Sequence, residues 1–219
     1  MNIVLYIIIF LIGIIIGSFY KLILKKKSIK LQIATGILSV LFAIGMNLNT
    51  NNIKIHNIIT LGFIMLYLAF IMLISRVDKE KRKIEKIALA YGIAISVIYI
   101  IYLCIMEKSN IFRYPIYLVL ITILLVIDNI NTKKKAEDNY TISILMFILI
   151  MVIFTGEYIS ILTIAATLLA VAIYLIINKI RKAKRNTNKE NVSNIRIGWI
   201  STINIAIFLV NLLCINFQR

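Results

Sequence analysis

Proline occurs once in the 219 residues, histidine once, cysteine twice and acids nine times. Each scarcity closes off a class of explanation. The two cysteines, Cys104 and Cys214, lie inside apolar runs with no Cys-x-x-Cys spacing, so neither a disulfide framework nor a zinc site is indicated. His56 stands alone in a polar stretch with no acidic or cysteine neighbour, which argues against a metal ligand or general base. Phosphate-binding glycine loops and internal repeats are likewise missing. Pro115 falls where a helix would begin, and there its missing N–H is harmless. With acids so few against 25 Lys and Arg, each one is worth locating.

What the chain has in abundance is apolar length. Hydrophobic residues make up 61 % of it, well above the share usual in water-soluble domains, and they come in runs that a globular core could not bury. The expected fold class is therefore all-α, a polytopic membrane protein with about eight transmembrane helices. The spans are placed near residues 3–20, 31–48, 57–75, 87–106, 114–130, 139–154, 158–178 and 197–217. The first has no basic region before its apolar core and no Ala-x-Ala site after it, so it reads as a retained helix and not a cleaved signal.

The net charge of +16 could suggest nucleic acid, but the basic residues cluster in short segments between the spans, where they report orientation instead. Segments 21–30, 76–86, 133–135 and 179–196 hold 21 of the 25 Lys and Arg, and the alternate loops and the C-terminus hold only Lys54, Lys108, Arg113 and Arg219. This alternation places the four basic segments in the cytoplasm and both termini outside. Gly13 and Gly17 form a small-x-x-x-small pair suited to helix packing within the chain. The tyrosines and Trp199 near span ends read as interfacial anchors.

The acids then sort by side. Asp78 lies in the crowded charged segment Ile74–Ile87, assigned to the second cytoplasmic loop, and Glu137 and Asp138 lie in the third. Asp78 and Asp138 each precede a span, where helix N-terminal N–H groups favour a negative side chain. Asp128 falls near the cytoplasmic end of the fifth span, within reach of a lysine such as Lys133, and Glu157 falls in the tight outer turn Thr155-Gly-Glu-Tyr158. The bland reading of any one acid is a solvated loop charge among lysines.

Gly17-Ser-Phe19, Ser28–Ile37, Asp78 followed after five residues by Ile84, and Ile195–Ser201, in that order along the chain, together resemble the type IV prepilin peptidases, membrane aspartic endopeptidases. Gly17-Ser-Phe19 resembles the family's Gly-Ser-Phe-Leu-Asn opening, with Lys21 in place of its asparagine, and Ser28–Ile37 is similar to the start of its second span. Asp78, followed after five residues by Ile84, resembles the first catalytic motif, although Glu85 stands where that motif has proline. Ile195–Ser201 looks like the approach to the family's last helix.

The resemblance covers essentially the whole chain, 1–219, as a single domain, and implies removal of the leader peptide of prepilin or pseudopilin substrates at the cytoplasmic face of a bacterial cell membrane. It implies a pair of aspartates, no cofactor and no metal, with membrane lipid and the prepilin as partners and no nucleic acid. The family's Gly-x-Gly-Asp-x-Lys has no clean counterpart here. Asp138 keeps the acid without the glycines, Glu157 follows one glycine, and Asp128 is a third candidate. Topology favours Asp138, on the side assigned to Asp78, so the expected catalytic pair is Asp78 and Asp138. Two such carboxyls would share a proton, one activating water and the other polarising the scissile carbonyl. The cysteine-bearing insertion of longer members is missing, and the methyltransferase activity associated with them is not expected. A catalytically silent relative that scaffolds a pilus or secretion system is the alternative.

Overall fold

The computed structural model describes residues 2–18, 29–46, 54–81, 86–106, 113–135, 140–185 and 197–217. Among these residues every regular element is helical: α1 (Asn2–Ser18), α2 (Ile29–Gly45), α3 (Ile55–Lys81), α4 (Lys86–Met106), α5 (Arg113–Lys135), α6 (Tyr140–Arg185) and α7 (Ile197–Phe217). The fold is all-α. Ile55–Asp78, Lys86–Met106 and Thr141–Ile177 are long and apolar enough to cross a membrane, and the other four helices carry shorter apolar stretches.

α3 is the axle of the bundle. It buries residues all along its length, from Leu61 through Tyr67–Ile71 to Val77, as expected of a helix that is apolar on every side and surrounded by others. Its neighbours run antiparallel to it. Phe63 meets Tyr99 at 4.9 Å and Phe70 lies against Gly92, where an added Cβ would overlap the ring, so α4 descends beside it. Phe70 meets Phe147 and Tyr67 meets Phe154, so the first part of α6 also descends, and Tyr67 bonds Asn204 of α7.

α6 does not continue as one rod. Its second part pairs with α7 in the antiparallel sense, Thr163 with Asn204 and Tyr174 with Trp199, and α7 is itself antiparallel to α3, where Asn204 bonds Tyr67 and Gly198 lies beside Ser75. The two limbs of α6 therefore run in opposite directions. The reversal is at Gly156, whose φ of 80° and ψ of 164° lie outside the helical region and in one that side chains other than glycine avoid. This is the turn at which the sequence separates its sixth and seventh spans.

α1 and α2 are held by close backbone approach. A Cβ on Gly13 would come 2.9 Å from the Gly36 Cα, and one on Gly17 would come 3.0 Å from the Gln32 Cα, so the Gly13/Gly17 pair faces α2 within the chain. Phe42 and Phe208 pack at 5.1 Å with Leu61, Ile64, Leu68 and Ile159 in a second core. Away from both cores the surface stays apolar, through Ile7 and Ile15 on α1, Val119 and Val126 on α5, and Leu168, Leu169 and Ile173 on the second limb of α6. Apolar exposure on this scale belongs to a surface that is covered, and hydrocarbon covers it without cost.

Candidate functional site at one end of the bundle

The antiparallel pairings gather the end of α3, the start of α4, the end of α5 and the start of α6 at one end of the bundle. The Gly156 turn, the start of α3 and the end of α4 lie at the other. The first end holds Arg76, Asp78, Lys86 and Asp128 among the described side chains.

Asp78 is on α3, not in a loop. The helix runs three residues past it because Arg76, Lys79, Glu80 and Lys81 are good helix formers, and apolar content alone would have stopped it near Ile74. The residue is 3 % exposed and follows Val77 of the main core. Its position corrects the electrostatic expectation as well. Asp78 lies in the last turn of its helix, where the carbonyl ends make a negative charge unfavourable, and not before a helix start where N–H groups would favour it. Burial adds to that cost. An acid buried there is more than a solvated loop charge.

Asp128 is also buried, at 9 % exposure, about two turns before the end of α5. Lys86 pairs with it, its Nζ 3.6 Å from Oδ2, and the side chain of Lys133, the expected partner, lies outside the described residues. Lys86 is the first residue of α4, and no periodicity in the sequence places it opposite α5. Asp138, the expected second member of the pair, lies outside the described residues.

Glu157 is at the opposite end. It directly follows the Gly156 reversal and accepts a hydrogen bond from the Tyr117 hydroxyl near the start of α5. A carboxylate there cannot meet Asp78 across the length of the bundle. Among the described residues no cluster of His, Cys, Asp and Glu could hold a metal. His56 is in the first turn of α3 and not in a loop, stacked on Tyr102 with its Nδ1 2.6 Å from the Tyr102 hydroxyl.

Mid-bundle, a polar group that the sequence reading did not single out joins three helices. The Tyr67 hydroxyl donates to the Asn204 Oδ1 at 2.8 Å, and the Asn204 Nδ2 donates to the Thr163 Oγ1 at 3.1 Å. Thr163 in turn donates to the Ile159 carbonyl at 2.7 Å. Asn204 and Thr163 are fully buried. An asparagine within the largely apolar helix Ile197–Phe217 is the signal that points to such a group, because hydrocarbon offers it no partner. With its hydrogen bonds made, the group fixes α3, the second limb of α6 and α7 in register.

Compared with protein-family models, curated proteins and solved structures, the chain matches none.

Proposed function

We propose that the protein is a membrane aspartic endopeptidase that removes the leader of prepilin or pseudopilin substrates, with Asp78 and Asp138 as the catalytic pair. In this reading the helices cross the membrane eight times, the two limbs of α6 counting separately. The basic end is cytoplasmic and both termini are outside in a bacterial cell membrane. The observation that carries it is the burial of Asp78, an acid enclosed by the main core near the end of an apolar helix, where an ionisable group is a functional candidate. Asp138 precedes Tyr140, the first residue of α6, by two positions in the sequence, and the start of α6 lies at the same end of the bundle as Asp78. Two carboxyls there could share one proton and hydrolyse an amide without a metal. Glu157 is set aside by its place at the far end.

The Lys86–Asp128 ion pair favours a second reading, a catalytically silent scaffold for a pilus or secretion system, since one buried acid at this end is matched to a lysine. Co-expression with a candidate prepilin, read by the mass of the processed product, separates the two. The protease reading expects leader loss that falls at least about a hundredfold in Asp78→Asn and in Asp138→Asn, with little further loss in the double variant. Glu157→Gln should keep its activity. Unchanged cleavage in Asp78→Asn would remove the aspartic-protease reading, and binding of the prepilin without cleavage by the unaltered protein would favour the scaffold.

A further inference from the structure

The contact between Lys86 and Asp128 spans two helices that otherwise touch little. α5 lies mainly against the first limb of α6 and meets α4 far less, so the start of α4 has few other ties to it. The pair is asymmetric: the lysine side chain is 59 % exposed and the carboxylate 13 %. An acid that deep on an apolar helix is costly without a cation, and a lysine at the mouth of the next helix can reach in while its own backbone stays at the bundle end. Phe63 against Tyr99 and Phe70 against Gly92 set an antiparallel register that brings Lys86, the first residue of α4, level with the last turns of α3, where Asp78 lies. A shift of the start of α4 is therefore a shift beside Asp78.

We infer that Lys86 and Asp128 form an interhelical ion clasp that holds the start of α4 beside Asp78, and that Asp128 is a positioning residue and not a proton carrier in the reaction. The effect on cleavage rests on the protease reading above. The clasp itself does not.

The test uses the full chain in lipid nanodiscs, with thermal midpoint and leader cleavage as separate readouts. Asp128→Asn and Lys86→Gln should each lower the midpoint and reduce kcat by about five-fold at unchanged KM, a modest loss because one partner is solvated. The doubly neutral variant should be no worse than either single one, because no buried charge is left unmatched. Exchanging the charges, Lys86→Asp with Asp128→Lys, should recover midpoint and kcat, since an acid at a helix start is favoured and a lysine on α5 can extend toward the headgroups. Single-variant losses in midpoint that simply add would overturn the clasp, and the doubly neutral variant decides this even if the exchanged one does not insert. Recovery of midpoint without recovery of kcat would overturn the positioning role and make Asp128 a proton carrier. An unaltered chain that cleaves no prepilin would fail the protease reading alone, while the midpoints still decide the clasp.

Discussion

Two glycines in open space, Gly62 and Gly156, should respond to the same substitution with opposite signs. A Cβ added to either meets nothing within 4 Å, so neither replacement by alanine creates a clash. The difference is backbone. Gly62 is helical within α3, where alanine is favoured over glycine by about 0.5–1 kcal/mol. Gly156 has φ 80° and ψ 164°, a region nearly reserved for glycine, and holding alanine there costs about 1–3 kcal/mol. For a chain of this length each kcal/mol moves the thermal midpoint by roughly 2–4 °C. Gly156→Ala should therefore lower the midpoint by roughly 2–12 °C, and Gly62→Ala should raise it by roughly 1–4 °C. Purified protein in one detergent, melted by intrinsic fluorescence or circular dichroism, is sufficient, and only the difference between the two variants is needed. A Gly156→Ala midpoint equal to or above that of Gly62→Ala would refute the reasoning, because it would mean that residues 140–185 form one continuous helix and the reversal is wrong.

Further outcomes follow from the buried contacts and from the charge pattern. Tyr67→Phe removes the donor to the Asn204 Oδ1 and should cost about 1 kcal/mol, and Tyr67→Phe combined with Asn204→Leu should cost less than the two singles summed, as double-mutant thermal unfolding would read. Strict additivity would mean that the two groups do not interact. For orientation, a cysteine at the exposed position 54 should react with an impermeant thiol reagent on intact cells, and one at the exposed position 30 should not. The reverse labelling would place the Asp78 end outside and remove it from any cytoplasmic substrate.

The parts of the fold that the sequence made legible are those written in apolar length. The two parts of α6 are divided by Gly156 within the turn expected between spans near 139–154 and 158–178, and the start of α5 accommodates Pro115. Less legible was anything written in charge. A run such as Arg76-Val-Asp-Lys-Glu-Lys81 looks like a loop to hydropathy, yet its residue types favour helix, and helix is what carries Asp78 into a buried position. The partner of Asp128 was equally hidden, because Lys86 comes 42 residues before it and only the antiparallel stacking of α4 and α5 brings the two together. Asn204 was visible as a polar residue in an apolar run, but which helices it joins depends on the reversal at Gly156.

The Tyr67–Asn204 bond has a meaning in time as well as in space. Its two ends are 137 residues apart, so at a synthesis rate of about 5–20 residues per second roughly 7–27 s pass between the appearance of the hydroxyl and of its acceptor. During that interval α3 already has α1 and α2 to pack on, but the side it will turn to α7 has no native neighbour. The helix at the centre of the finished bundle is thus among the early ones made and the latest to be fully enclosed. Any quality-control factor that senses an exposed polar group on an apolar helix would have its longest opportunity at Tyr67.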